Sequence, residues 1–268
     1  MIHRKSPQEI EIMKQGGRIL KSTLSKLLQM AKPGTSLTEI DQKADEIIKK
    51  AGAEASFNKV PNYHWATCLC VNDVVVHGIP TNYKLRQGDI IGIDCGIFYK
   101  GFHTDSAWTV LVGNKEDTKH TGGVQHTPGV KEPEIISKKR FLETGKRALK
   151  NALSQIKPGN RIGHISQAIQ DTIKSHGYSV VKSLTGHGIG KNLHEKPEIP
   201  GLLRGKIEDT PKIIPGMVLA VEVIYNMGSP DVIYKNSDGW TIATKDAKIS
   251  GLFESTVAIE DDGVFLLT

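Results

Sequence analysis

Apolar residues recur at Ile10, Met13, Gly17, Leu20, Leu24, Leu27 and Leu28, the spacing of one buried helical face. That helix has a start and a stop. Ser6-Pro7-Gln8-Glu9 is a capping box with proline at the first helical position, and Lys32-Pro33-Gly34 closes the segment. Ser36-Leu37-Thr38-Glu39 is a second capping box, followed by an apolar face of Leu37, Ile40, Ala44, Ile47 and Ile48 and by Gly52 at a C-terminal position. After residue 60 the period becomes that of strands. Ala66 to Val76 is rich in Val, Cys and Thr, while Asp89 to Tyr99 and Phe102 to Val112 form a hairpin about Lys100-Gly101. Gly113 to Glu134, rich in Gly, Thr, His and Pro, reads as a loop that carries His120 and His126 as solvated residues. Helices are predicted again over Ile135–Ile156 and about Arg161–His176. Strand-like segments follow near 178–183, 217–225, 231–234, 239–244 and 251–260.

This order of elements is a repeat. Lys32 to Gly52 aligns without gaps to Lys157 to Gly177, with identical residues at the Lys-Pro-Gly stop, at Ile40/Ile165, Ile48/Ile173, Lys49/Lys174 and at the terminal glycine. Polar residues coincide in the strand regions. Gly88 to Asp94 parallels Gly216 to Glu222, each an apolar run ending in a carboxylate, and Thr104-Asp105-Ser106 parallels Phe253-Glu254-Ser255. His77-Gly78-Ile79 parallels His187-Gly188-Ile189, which places the two histidines at corresponding positions. Two related halves, sharing a site where they meet, are the expected architecture.

An isolated acid in a strand is usually an edge residue or a capped polar group. Asp94 and Glu222, however, lie in runs that should be buried, and an unpaired buried carboxylate costs several kcal/mol, roughly, unless it is paired or ligates a metal. Asp94 and Asp105 flank the Lys100-Gly101 turn and should be neighbours across the hairpin, with no arginine in either strand to neutralise them. Facing carboxylates need a shared proton or a cation between them. His187 lies among glycines in Thr185-Gly-His-Gly-Ile-Gly190, and His194 follows in the same segment. Carboxylates with imidazole suit Mn, Fe(II), Co or Zn, and Mg less well. A pair of such ions can share a hydroxide nucleophile and polarise a carbonyl or phosphoryl oxygen, so hydrolysis is the natural reaction class. A nearby histidine can assist the developing oxyanion or the leaving amine.

Composition narrows the setting. The chain has 268 residues, 38% hydrophobic and 24% charged, which excludes a disordered chain, a collagen and a small disulfide scaffold. With the repeat, this length predicts a single catalytic domain, residues 1–268, made of an N-terminal half (about 1–112), a connecting loop (113–134) and a C-terminal half (135–268). Cys68, Cys70 and Cys95 read as reduced core thiols, the N-terminus has no apolar leader, and no apolar run could span a bilayer, so a cytoplasmic enzyme with no membrane partner is expected. A net charge of +6 permits an acidic partner without requiring one. Lys138-Lys139-Arg140 reads as the solvent face of a helix. P-loop, Gly-x-Gly-x-x-Gly, Gly-x-Ser-x-Gly and His-Glu-x-x-His motifs are absent.

The motifs Val71-Asn-Asp-Val-Val-Val-His77-Gly-Ile-Pro80, Ile93-Asp94-Cys-Gly, Gly101-Phe-His-Thr-Asp105, Gly186-His187-Gly-Ile-Gly190, His194-Glu-Lys-Pro197, Glu222, Asp238-Gly-Trp240 and Phe253-Glu254 occur in order over nearly the whole chain. In this the chain resembles the type I methionine aminopeptidases. The resemblance implies the α+β pita-bread fold, with two pseudo-twofold halves and a central antiparallel sheet covered by helices. It implies metal ligands at Asp94, Asp105, His187, Glu222 and Glu254, with Asp105 and Glu254 bridging two divalent ions and Glu222 also a general base. His77 and His194 would contact substrate and stabilise the tetrahedral intermediate, Tyr63 and Trp240 would form part of a methionine pocket, and a monovalent cation would lie near Asn72, Val74 and Ser250. The implied reaction removes the initiator methionine from nascent polypeptides with a small second residue. A monomer without a specific nucleic-acid partner is expected, with transient ribosome contact as a use for the charge. Phe57, Val60 and Leu193 depart from the pocket residues usual in bacterial members, the 113–134 loop looks longer than usual, and no large helical insertion lies between His187 and Glu222. The alternatives are a proline-directed pita-bread peptidase, which usually carries an extra N-terminal domain, and a pita-bread binding protein of RNA or ribosomes.

Overall fold

The computed structural model describes residues 2–113 and 132–268. His120, His126 and most of the expected 113–134 loop lie outside the described residues. The chain runs α1 (Pro7–Gln29), α2 (Leu37–Lys50), β1 (Glu54–Ala55), β2 (Thr67–Val71), β3 (Val74–Val76), β4 (Ile90–Tyr99) and β5 (Phe102–Leu111). After the undescribed stretch come α3 (Glu132–Leu153), α4 (Ile162–Ser175), β6 (Ser179–Val180), β7 (Thr185–Gly188), β8 (Glu195–Pro200), β9 (Val218–Asn226), β10 (Val232–Tyr234), β11 (Ile242–Thr244), β12 (Ser250–Glu260) and β13 (Gly263–Leu266). Both capping boxes form, each serine accepting from the backbone N–H of a glutamate whose side chain returns to the serine N–H. Helix α3 starts earlier than the pattern indicated, with Glu132 and Glu134 in its first turn, where acidic side chains complement the helix dipole.

The two halves are built alike. In the first, β4 pairs with β5 on one edge and with β1 and β2 on the other. In the second, β9 pairs with β12 on one edge and with β6 and β7 on the other, and β8 and β13 extend the sheet. The correspondence reaches single residues. Glu54 opposes Phe98 and Ala55 opposes Ile97, while Ser179 opposes Asn226 and Val180 opposes Tyr225. One apolar core in each half is shared by helices and sheet. Leu20, Leu27, Ile40 and Ile48 pack with Ile91, Ile93 and Ile97, and Phe141, Leu149, Ile165 and Ile173 pack with Leu219, Val221 and Val223. A three-stranded sheet of β10, β11 and β3 lies apart from these two.

The halves meet where β5 runs antiparallel to β12, and threonine and serine hydroxyls make the join. Thr109 Oγ1 donates to Leu252 O and accepts from Leu252 N, at 2.6 and 3.0 Å. Thr256 Oγ1 donates to Asp105 O at 2.7 Å and accepts from Asp105 N at 3.0 Å, and Ser106 Oγ donates to Glu254 O at 2.9 Å. The expected central sheet is therefore two sheets joined edge to edge by side-chain hydrogen bonds.

Three expectations change. The strand expected over 66–76 is broken into β2 and β3 by Asn72-Asp73, with Asn72 at φ 54°. Lys138 is not on a solvent face: it is buried, and its Nζ donates to Gly88 O at 2.8 Å and pairs with Glu134 at 2.6 Å, tying α3 to the turn before β4. Around His187 the expected glycine-rich segment forms the pair β7–β8, in which the glycines let neighbouring backbones approach. A Cβ on Gly186 would lie 2.6 Å from Ala220 O. The cysteines are free and buried, as expected. Among the described residues no helix is long and apolar enough to cross a membrane.

Helix α3 crosses its sheet closely because of Gly145. A Cβ there would overlap the Phe253 ring and the Tyr225 hydroxyl, both fully buried. Gly145→Ala should therefore destabilise the protein by about 1–3 kcal/mol despite the better helix propensity of alanine. Urea unfolding reads this directly, and an unchanged or raised midpoint would show that α3 can move away without cost.

Candidate metal centre

Asp94 and Asp105 come from the hairpin β4–β5. They are diagonal neighbours, since Asp105 opposes Gly96 and Asp94 opposes Ala107. Glu222 and Glu254 oppose each other directly on β9 and β12. The acids that match in the repeat thus sit two residues apart in register, so the pseudo-symmetry of the sheets does not extend to the carboxylate pairs. His187 on β7 opposes Ala220 on β9. The matching position of the first half is Gly92 on β4, whose partner is Cys70 on β2. His187 therefore takes the place of Cys70, and the expected correspondence with His77 is corrected. His77 lies beyond the end of β3, at φ 55°.

Ligand atoms of Asp105, His187 and Glu254 lie within 4.8 Å of one another, and all three residues are buried. Glu222 joins them, its Oε1 3.4 Å from His187 Nε2. Asp94 adjoins Asp105, and each carboxyl shifts the other's titration. Burial and the mutual repulsion of these groups hold Asp94, Glu222 and Glu254 well above the usual carboxylate range, and burial raises Asp105 to about 7. Asp94 Oδ1 and Glu254 Oε1 are buried without a hydrogen-bond partner. Such orphaned acceptors in a cluster without a cationic side chain fit a bound metal ion.

The imidazole fits as well. His187 Nδ1 lies 2.9 Å from the carbonyl of Gly188 and must carry the proton to donate there, which leaves the Nε2 lone pair facing the carboxylates. Burial, followed by the neighbouring His194, lowers His187 to about 4, so it is neutral near pH 7 and its contact with Glu222 is not an ion pair.

An apolar, aromatic cluster borders these ligands. Phe57, Tyr63, Cys68 and Leu193 are buried in one group, with Val60, Trp65, Ile79 and Trp240 packed against it. The Tyr63 ring meets Trp240 edge to face at 5.1 Å, and its hydroxyl points inward, donating to Thr67 O at 2.9 Å. Trp240 in turn meets His77 at 6.4 Å. The strands link this cluster to the metal ligands, because Cys68 opposes Asp94. Asp238 accepts from the backbone N–H groups of Trp240 and Thr241 and fixes the turn that carries Trp240. His194 is exposed at the rim, its ring 4.4 Å from that of His187. Contacts thus link His187 to Glu222 and His194, Tyr63 to Trp240 and Trp240 to His77, while Ser250 N donates to Asn72 O at 2.8 Å.

Residues 11–265 match the model of metallopeptidase family M24. The chain is 40% identical to methionine aminopeptidase 1 of Bacillus subtilis over 268 residues, covering all of this chain and 99% of that one. It is 37% identical to methionine aminopeptidase of Clostridium perfringens, with the same coverage. The chain belongs to the methionine aminopeptidases of family M24. The crystal structure of methionine aminopeptidase from Thermotoga maritima superposes on this M24 peptidase with a TM-score of 0.88 at 33% identity, covering 100% of this chain and 99% of that one. Prolidase from Pyrococcus furiosus, at 21% identity and TM-score 0.72, shares the fold, and this chain spans 65% of its length. The expected pita-bread fold and metal-dependent peptidase class hold. The hydroxyls of Thr109, Ser106 and Thr256 had no signal in the sequence beyond their places beside Asp105 and Glu254.

Proposed function

We propose that this M24 peptidase removes N-terminal methionine from nascent polypeptides whose second residue is small, with Asp94, Asp105, His187, Glu222 and Glu254 holding two divalent ions. The observation that carries the reading is the juxtaposition of a buried carboxylate cluster, in which Asp94 Oδ1 and Glu254 Oε1 lack hydrogen-bond partners, with an apolar aromatic cluster. When bound, such ions polarise the scissile carbonyl and make water a nucleophile near neutral pH. The rest falls to side chains. Phe57, Tyr63, Leu193 and Trp240 take an unbranched thioether, for which a dry aromatic wall is suited. His77, held below its ordinary pKa by burial and by His194, stays neutral and can donate a hydrogen bond to the developing oxyanion. His194 reaches the same side from the rim. Glu222, beside His187, would accept the proton released from water. Asp105 and Glu254 come from strands of different halves, so the chain works as one catalytic unit. Mn, Co, Fe(II) and Zn all suit the donor set. The contact of Asn72 with Ser250, beside Val74, supports a monovalent-cation site there. A cytoplasmic monomer, brought near ribosomes by its net charge of +6, completes the reading.

The test is methionine release from Met-Ala-Ser, Met-Gly-Ser and Met-Leu-Ser with each divalent ion. Turnover of the first two and little of the third is expected. No turnover with any ion, or cleavage of Xaa-Pro peptides in preference, would overturn the proposal.

A further inference from the structure

Lys5 is buried, with only 1% of its side chain exposed, and it meets Glu195 at 2.7 Å. Nothing in the chemistry above uses this pair. Its position gives it a use. Glu195 follows His194, and its two carboxylate oxygens divide their work: Oε2 accepts from Lys5 Nζ, and Oε1 accepts from the backbone N–H of Asn192 at 3.1 Å. Lys5 Nζ also donates to His3 O at 3.2 Å. Lys5 is itself anchored, since its N–H donates to Gly216 O at 2.7 Å, in the turn that opens β9 and leads to Glu222.

Leu193 is buried in one apolar cluster with Phe57 and Tyr63, and the rest of the segment from Gly190 to His194 has few other ties. His103 N donates to Gly190 O at 2.7 Å, Gly190 N donates to Asn192 O at 3.1 Å, and an exposed contact joins Lys191 to Glu9 at 3.4 Å. A Cβ on Gly190 would run into the Lys5 stem and lie 2.8 Å from Glu195 Oε1, so this glycine makes room for the ion pair. Beside the burial of Leu193, a buried, charge-assisted bond adds a polar hold on a segment that ends in an exposed histidine.

We propose that Lys5 is a positioning residue for catalysis: through Glu195 it holds the Gly190–Glu195 segment so that His194 stands beside His187 at the substrate side of the metal centre. This rests on the assignment of His194 to substrate contact. A buried ion pair is a poor source of net stability, yet breaking one leaves a buried charge without a partner, so its effect should appear where the freed carboxylate lets the segment move.

Lys5→Met and Glu195→Gln are compared with wild type and again in a His194→Ala background, with Met-Ala-Ser as substrate. Either variant should lower kcat by about 10- to 100-fold with KM and metal affinity unchanged, as expected for a misplaced reacting group. In the His194→Ala background the same changes should cost almost nothing further. Histidine-labelled NMR of the protein without substrate supplies a readout independent of turnover. The His194 ring signal should broaden in Lys5→Met, while that of His176, at the C-terminal cap of α4, stays sharp. Equal losses in both backgrounds, weakened metal binding, or an unperturbed His194 signal would overturn the proposal. If Lys5→Met does not fold, Glu195→Gln carries the test alone. Absence of methionine release by wild type would count against the function, while the NMR arm would still decide the role of Lys5.

Discussion

Asp105→Asn should abolish methionine release and tight metal binding together, while making the metal-free protein more stable at neutral pH. The first half follows from geometry. Asp105 sits where the two sheets join, its backbone held by Thr256 and one carboxylate oxygen accepting from Ser106 N at 3.0 Å. Its remaining acceptor capacity faces His187 and Glu254. Loss of residues that merely orient a metal ligand costs about 10–100-fold in affinity, so loss of a central ligand should exceed the upper figure. Turnover should fall by about a thousandfold or more, the scale of removing a principal electrostatic contribution to a transition state. The second half follows from repulsion. Burial holds the Asp105 carboxyl near 7, and it raises Asp94, Glu222 and Glu254 as well, so the metal-free site strains against its own charge. The amide removes one of those charges at nearly constant volume. Calorimetric metal titration, peptide turnover and thermal unfolding with chelator make the three readouts. A variant that keeps turnover would remove Asp105 from the metal site. One that loses metal yet melts lower than the metal-free wild type would show that Asp105 is held for structure alone.

Much of this site is legible in the sequence because buried strands seldom carry acids. Asp94 and Glu222 stand out from Ile90–Phe98 and Val218–Ile224 on chemistry alone, and the repeated order of elements brings them together. Local signals likewise place the capped helices α1 and α2, since a capping box depends on residues only three apart. Failures come where long-range pairing overrides local preference. No strand is read at the three glycines about His187, yet β9 and β8 supply the ladder partners that glycine cannot specify for itself. The match of His77 to His187 fails for a related reason: equal local motifs need not occupy equal registers, and strand pairing puts Cys70 at that place. Lys138 reads as solvated from its basic neighbours, but a long stem lets its ammonium reach Gly88 O across the packing surface. Lys5 and Glu195 lie at opposite ends of the sequence and share no pattern that could announce their contact.

Removal of the metal should reverse the pH dependence of stability above pH 6.5. Four carboxylates have folded-state pKa values raised above the unfolded values of about 3.9 and 4.3, Asp105 to about 7 and the others well upward. The folded metal-free protein therefore holds protons that the unfolded chain has already released. Stability from these groups is fully present below about pH 4 and is lost as pH rises through the folded values. Between its unfolded and folded pKa values each such group contributes a slope of about −1.4 kcal/mol per pH unit. Histidines oppose this at lower pH. His187 and His103 are lowered to about 4 by burial, and His77 is lowered too, so the unfolded chain takes up their protons first and stability rises with pH up to about 6.5. Above that the histidines are neutral in both states, and the carboxylates act without this opposition. With Mn(II) or Zn(II) bound the sign changes, because the ion binds the deprotonated ligands and protons compete with it. Thermal unfolding between pH 6.5 and 7.5 should show the chelated protein melting lower as pH rises through the Asp105 value of about 7 and the metal-loaded protein holding or gaining. The gap between the two curves should widen with pH, and the metal-free decline should be shallower in Asp105→Asn, where one titrating carboxylate is gone. Parallel curves for the metal-free and loaded protein would mean that the four carboxylates are already ionised without metal, and that their burial is relieved by something other than a bound cation.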